Sequence, residues 1–434
     1  MLKLCTMGLG YIGLPTSLMF AKHGVDVVGV DIHPEIINKL NNGKLHIEEP
    51  GLSELLQEVL DAKRFRAVLE PEKADVFIIA VPTPNKKDKH KSCDLTYVME
   101  AVSGVLPYVE KGNVIIIEST IAPRTMDDHI RPVIEMAGLT IGEDVFLVHC
   151  PERVLPGKIL EELIFNNRIV GGVTEACANQ GSRVYETFVK GEIIRTDAKT
   201  AEMSKLMENT FRDVNIALAN ELAKVCFQLD INVLDVISMA NKHPRVNIHQ
   251  PGPGVGGHCL AVDPYFIVAE APESARIIEL ARDTNVSMPY YIVNCVRMLT
   301  EGIRKPKIAV FGLAYKGNVD DIRESPAIDV LNILMSMNEM EVSLFDPHVQ
   351  PGKMPVVSAE NAVDDADLIL VLTDHNEFKQ LDYDKLTENM SHKLILDTRN
   401  CIDQTNTQIP VVNLGNVFQY KSSQRKEEKK RIIS

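Results

Sequence analysis

The first 31 residues carry the strongest constraint on the fold. Leu2 to Met7 is a strand-like apolar run, Gly8-Leu-Gly10-Tyr-Ile-Gly13 follows, a stretch of helical spacing comes next, and Val27 to Asp31 is a second strand-like run ending in a carboxylate. A lone G-x-G-x-x-G is weak evidence. Here it follows a strand, opens a helix and precedes an acid by about 20 residues, which makes it the start of a doubly wound sheet that binds a dinucleotide. Gly8 permits the turn, Gly10 lets the backbone reach a pyrophosphate, Gly13 lets the helix pack on the strand, and the helix N-terminus attracts negative charge. Tyr11 and Ile12 belong to the same cofactor-binding turn. Asp31 accepts hydrogen bonds from both ribose hydroxyls and repels a 2′-phosphate, so NAD is preferred over NADP, with His33 nearby as a weak hint of the opposite charge.

Further strand-like runs at Val76 to Val81, Val114 to Glu118 and Val145 to His149 alternate with helical spacing such as Leu52 to Leu60. This alternation predicts a parallel, doubly wound sheet. With 434 residues, the chain has length for two or three domains of about 150 residues each. From Thr200 to Leu229 the pattern becomes one long helix, with Leu206, Phe211, Leu218, Leu222 and Val225 read as an apolar stripe. A loop rich in glycine and proline, Gln250 to Cys259, interrupts the helical middle. Such a loop has a tightly turned backbone that can approach a ligand closely.

The third portion is a degenerate copy of the first. Lys307 to Gly317 lines up with Lys3 to Gly13, Val342 to Asp346 with Val27 to Asp31, Ala366 onward with Ala74 onward, and Leu394 to Thr398 with Ile115 to Ser119. The fold class is thus α/β, with two Rossmann-like doubly wound domains joined by a helical central domain through a long connecting helix. The expected bounds are 1–198, 199–302 and 303–420, with a flexible tail at 421–434, where charge is mixed and apolar content is low. In the copy Ala314 replaces the middle glycine, and its methyl obstructs a pyrophosphate on the backbone, while Lys316 offers a point charge. The copy is either a structural duplicate or a site for a different diphosphate.

Composition narrows the function classes. The balance of 46 Lys+Arg against 60 Asp+Glu, net −14, and the absence of Trp argue against a nucleic-acid partner. No apolar run reaches the length of a membrane span and no signal peptide is evident, so a soluble, cytoplasmic chain is expected. The 8 cysteines show neither C-x-x-C pairs nor zinc-ligand spacing, so no metal is expected and most should be buried small hydrophobes. Cys259 differs, because a glycine-rich loop gives a thiol the exposure and polar setting that a nucleophile needs. Lys205 and Asn209, four apart on the long helix, either form a solvated pair or converge to stabilise an oxyanion. Thr83 and Thr120 follow strand ends, where they either meet a ligand or cap helices.

Taken together, GLGYIG, VPTP, EST, CPERVLPGK, AEMSKLMENTFRDVNIALANE, PGPGVGGHCLAVDP and FGLAYKGNVDDIRESP resemble the UDP-glucose/GDP-mannose dehydrogenase family, in order from about Lys3 to Asn413. The resemblance implies four-electron oxidation of a nucleotide sugar at C6, using NAD. It implies Cys259 as nucleophile, Lys205 and Asn209 as polar stabilisers, Asp263 as the residue handling the catalytic water, and Thr120 and Glu152 completing the site. It also implies Lys316 and Arg399 near the UDP moiety, Arg323 near the cofactor, and a homodimer built on the long helix.

Within the family, Cys150 to Lys158 is similar to the branch acting on UDP-N-acetylhexosamines; the resemblance also implies Arg153 and Gly256 at the substrate. The glucose branch carries a glutamate where this chain has Pro156, so that carboxylate's role does not transfer. The run Asn241 to Pro251 most resembles the enzymes acting on the manno epimer, implying His243 and Arg245 at the sugar nucleotide, reached from a partner subunit. The gluco epimer is the alternative substrate, and a non-catalytic NAD-binding scaffold is a further alternative.

Overall fold

The computed structural model describes residues 2–155, 157–257 and 259–421. Pro156, His258 and the expected tail beyond Lys421 lie outside the described residues. The chain forms two compact units, Met1–Glu208 with Tyr265–Ser274, and Asn209–Pro264 with Ala275–Ser434.

The first unit holds an eight-stranded sheet: β1 (Lys3–Met7), β2 (Asp26–Val30), β3 (Phe65–Val68), β4 (Val76–Ile79), β5 (Val114–Ile117), β6 (Phe146–His149), β7 (Arg168–Gly172) and β8 (Ile193–Asp197), in the order β3-β2-β1-β4-β5-β6-β7-β8. β4 and β5 are apolar and buried throughout, because helices cover both faces of the sheet. Helix Leu52–Asp61 buries Leu52, Leu55, Leu56 and Val59, the spacing of one helical face. Strand order reverses between β1 and β4, which opens a crevice at their carboxyl ends. One pairing departs from the all-parallel expectation: β7 runs antiparallel to β6, with Val148 opposite Gly172 and His149 opposite Gly171. β3, β7 and β8 lie outside the runs singled out in the sequence; β3 alternates buried with exposed or half-buried residues and β8 buries none, which weakens an apolar signal.

The second unit carries β9 (Lys307–Phe311), β10 (Glu341–Phe345), β11 (Leu368–Val371), β12 (Ile395–Asp397) and β13 (Val411–Asn413), all parallel, in the order β10-β9-β11-β12-β13. Its first four strands repeat the β2-β1-β4-β5 arrangement, as the internal repeat predicted.

A 31-residue helix, Ala198–Gln228, passes from one unit into the other. One face buries Ala201, Glu202, Lys205, Leu206, Asn209 and Asp213. Met203, Met207, Phe211, Leu218, Val225 and Leu229 are exposed, and their spacings of four and seven put them on a different face. The expected stripe was therefore a mixture: Leu206 belongs to the buried face, and Phe211, Leu218 and Val225 to the exposed one.

Candidate active site

The glycine turn has the shape its sequence predicted. Gly8 sits at φ +92°, and a Cβ there would lie 2.5 Å from the Ala80 carbonyl oxygen. At Gly13 a Cβ would come 1.9 Å from the Gly8 oxygen, whereas Gly10 faces open space. Asp31 follows β2, and its Oδ2 and Oδ1 accept the backbone N–H groups of Leu9 (3.1 Å) and His33 (3.0 Å). Each oxygen keeps a lone pair for a ribose hydroxyl. His33 Nδ1 lies 3.6 Å from Glu35, so a carboxylate stands beside the imidazole nearest Asp31 in sequence. Tyr11 is exposed and Ile12 half-buried beside the open Gly10. The turn, the open Gly10 and the oriented acid fit NAD.

Thr83 and Thr120 are half-buried after β4 and β5, and neither is the cap of a helix: Leu95 and Thr125 precede the next helical segments. Ser119, between them, ties the two strand ends together by accepting the Val81 N–H (2.9 Å) and donating to the Val81 carbonyl (2.7 Å). Glu152 is held by Arg168, whose Nη2 donates to Oε2 at 2.8 Å. Arg153 Nη1 donates to Glu208 at 2.6 Å. Lys205 and Asn209 are 7% and 4% exposed, so the solvated-pair alternative falls.

Sequence reasoning passed over Glu118 and Arg168 as individual side chains. Glu118 is fully buried, accepts the Tyr185 hydroxyl at 2.6 Å, and burial pushes its carboxyl up to about 7. An acid closing the apolar run Val114–Ile117 was a visible signal for it. Arg168 opens an apolar strand and had no such signal. His149 is also fully buried; burial holds its imidazole down at about 3, so the ring is neutral.

In the second unit Cys259 is exposed, while Cys5, Cys93, Cys150, Cys177, Cys226 and Cys295 are buried and Cys401 is half-buried. The Cys259 carbonyl accepts the Asp263 N–H at 2.8 Å, so the cysteine stands one helical turn before helix Asp263–Glu270. Asp263, 2% exposed, accepts a 2.6 Å hydrogen bond from Asn209 Nδ2, and Arg212 donates to the Asn209 Oδ1. The loop before Cys259 is pinned: a Cβ at Gly256 would lie 2.3 Å from the Glu324 carbonyl, and one at Gly252 would lie 2.9 Å from Arg399 Nη1. Arg212, His249, Gln250, Leu260 and Arg399 line a cavity of about 320 Å³ with the loop glycines. Arg212 is a second cation there that the sequence reading did not include. His243 and Arg245 are exposed in the turn after helix Val233–Ala240, with the Arg245 N–H on His243 Nδ1 at 3.3 Å.

The second sheet's counterpart of Asp31 is closed. Asp346 Oδ2 accepts the Leu313 N–H (2.7 Å) and faces His375 Nε2 (3.2 Å), while Oδ1 accepts the N–H groups of His348 and Val349. A carboxylate so saturated has no place for ribose hydroxyls. His348, His375 and Glu377 come within metal-ligating reach of one another, yet His375 Nδ1 already accepts the Asn318 N–H at 2.9 Å. Lys316 is exposed in the turn after β9. Arg323 is exposed and forms a bidentate pair with Asp321.

A dinucleotide cradle in the first sheet, and an exposed cysteine in a glycine loop, define a nicotinamide-dependent dehydrogenase. The chain belongs to the UDP-glucose/GDP-mannose dehydrogenase family, matching its NAD binding domain at residues 2–189, its central domain at 199–287 and its UDP binding domain at 309–404. It is therefore a nucleotide-sugar dehydrogenase with an NAD-binding and a UDP-binding domain. It is 49% identical to the UDP-N-acetyl-D-mannosamine dehydrogenase of Methanococcus vannielii, over 92% of this chain and 93% of that one. It is 44% identical to the NDP-N-acetyl-D-galactosaminuronic acid dehydrogenase of Ralstonia nicotianae, over 91% and 94%. The solved UDP-N-acetyl-mannosamine dehydrogenase from S. aureus superposes with a TM-score of 0.90 at 60% identity, covering 96% of this chain and all of that one. Among the described residues no helix is long and apolar enough to cross a membrane.

Proposed function

We propose that this chain catalyses the NAD-dependent, four-electron oxidation of UDP-N-acetyl-D-mannosamine at C6 to UDP-N-acetyl-D-mannosaminuronate. The observation that carries the reading is the setting of Cys259, exposed and one helical turn ahead of a buried Asp263 that Asn209 orients. The names of the M. vannielii and S. aureus relatives support the manno epimer.

An alcohol cannot reach an acid by hydride loss alone, because an aldehyde must first gain a nucleophile. Bound NAD supplies the hydride acceptor, once for each two-electron oxidation. Gly8, Gly10, Tyr11, Ile12, Gly13, Asp31, Thr83, Thr120 and Arg323 hold it. Arg153, His243, Arg245, Gly256, Lys316 and Arg399 bind the sugar nucleotide, with His243 and Arg245 reaching it from a partner subunit. The Cys259 thiolate adds to the C6 aldehyde and forms a thiohemiacetal whose oxyanion Lys205 and Asn209 stabilise. Loss of the C6 hydride from that adduct leaves a thioester. Asp263 takes a proton from water as it attacks the thioester carbon, with Thr120 and Glu152 completing the site; the C–S bond breaks, the uronate leaves and the thiolate returns.

Three segments divide this work: 1–198 for NAD, 199–302 for the catalytic loop and dimerisation, and 303–420 for UDP. The exposed apolar face of the long helix, Met203 to Leu229, supports a homodimer. The setting is cytoplasmic, where NAD and nucleotide sugars are available.

The test is the number of NADH formed per UDP-N-acetylmannosamine at limiting sugar and excess NAD. Two, with acid as product, is the expected result, and one per sugar overturns the covalent mechanism. A clear preference for the gluco epimer in parallel assays replaces the manno reading.

A further inference from the structure

Three charged side chains from neighbouring strands meet in the interior of the first unit. Glu118 follows β5, Glu152 follows β6 and Arg168 opens β7, and their side chains are 0%, 7% and 5% exposed. The antiparallel register of β6 and β7 makes the meeting possible. Val148 pairs with Gly172, so Glu152, four residues beyond Val148, comes level with Arg168, four residues before Gly172. A parallel β7 would carry Arg168 to the opposite end of the sheet.

The geometry is unequal. Arg168 Nη2 donates to Glu152 Oε2 at 2.8 Å, while its Nη1 stands 3.8 Å from Glu118 Oε1, too far for a hydrogen bond. The Arg168 guanidinium packs over the Tyr185 ring at 4.6 Å. The other oxygen of Glu152 accepts the Arg153 backbone N–H at 2.7 Å, so both its oxygens are held. Among the described residues Glu118 Oε2 has no hydrogen-bond partner, though it is buried.

We propose that Arg168 and Glu118 form a buried clamp on Glu152, with Arg168 the positioning residue that fixes its rotamer and Glu118 the group that decides whether Arg168 serves one carboxylate or two. The proposal rests on the reading of Glu152 as part of the active site. The groups facing Glu118 are Arg168 on β7, Cys150 and Glu152 after β6, Tyr185 on helix Glu175–Tyr185 and Thr16 on helix Gly13–Lys22. Among these Arg168 is the sole cation. With Glu118 protonated, the guanidinium balances Glu152 alone. With Glu118 ionised, two buried carboxylates compete for one cation, a net buried charge that low dielectric penalises.

The test compares Glu152→Gln, Arg168→Lys and Glu118→Gln by kcat, KM and the pH profile of kcat, with NAD binding as the check on folding. Glu118→Gln keeps the shape and the acceptor for Tyr185 while holding the site neutral at every pH. Its rate relative to the native enzyme is expected to rise with pH through the neutral range, to about threefold above about pH 8. Arg168→Lys is expected to lower kcat by about tenfold or more, with KM for NAD within about twofold. A slow Glu152→Gln beside a flat Glu118→Gln ratio overturns the clamp and leaves the reading of Glu152 standing. A Glu152→Gln enzyme with native turnover overturns both. The pH ratio for Glu118→Gln decides the matter even if Arg168→Lys does not fold.

Discussion

Asn209 on the long helix donates a 2.6 Å hydrogen bond to Asp263 at the start of the helix that follows Cys259. Both side chains are buried, at 4% and 2% exposure. A buried carboxylate keeps one orientation only while its donors stay in place. Asn209→Ala is expected to cost about 1–3 kcal/mol by removing a donor from a buried carboxyl oxygen. It should also lower kcat by about tenfold or more, since the proton acceptor proposed for the water step loses its orientation. Thermal unfolding and steady-state kinetics on one preparation check both, and a native value in either would remove the corresponding role from the bond.

Burial pushes the Cys5 thiol up to about 11 and those of Cys150 and Cys295 up to about 12, so these thiols stay protonated. Cys259 is exposed. A thiol-alkylating reagent should therefore modify Cys259 first in the native enzyme, with loss of acid formation in step. Peptide mapping by mass spectrometry reads the site. Cys259→Ala should abolish acid formation and leave NAD affinity within about twofold. Unchanged turnover in that variant would remove the covalent route.

Asp31 is oriented by the N–H groups of Leu9 and His33 with lone pairs to spare. Asp31→Asn should weaken NAD binding by about tenfold, roughly the loss of one charge-assisted hydrogen bond. It should also narrow the preference over NADP, because the repulsion of a 2′-phosphate goes with the charge. Titration with both cofactors measures this; an unchanged ratio would take the discrimination away from Asp31.

Burial raises the Asp346 carboxyl, but the hydrogen bond from His375 and the backbone N–H groups of Leu313 and His348 outweigh it and bring it down to about 2. An unfolded aspartate titrates near about 3.9, so between those values the unfolded chain binds more protons. The contribution is thus complete above about pH 4 and is lost as pH falls through about 2. Acid unfolding of the native chain should show this loss, and Asp346→Asn should flatten the stability profile across that window. A parallel shift of the two profiles would contradict it.

Much of the scaffold was legible because its signals are local. The glycine turn, the helix after it and Asp31 lie within one stretch of chain, and the internal repeat announced a second sheet, four of whose strands repeat the β2-β1-β4-β5 arrangement of the first. The long helix was legible from its period, and so was the shared face of Lys205 and Asn209. Cys259 stood out by the glycine and proline around it.

What the sequence determined alone is the alternation of strand and helix, the internal repeat and the chemistry of the cofactor turn, since 2.0 and 3.6 residue periods and a glycine's positive φ are properties of neighbouring residues. Only the tertiary structure decided that β7 reverses against β6, that Lys205 and Asn209 lie inside while Phe211 lies outside, and that Asp346 is saturated where Asp31 is open. Strand direction and burial depend on contacts between residues far apart in the chain, such as Arg168 with Glu118, fifty positions away. No local period encodes which charges will meet once the sheet has closed around them.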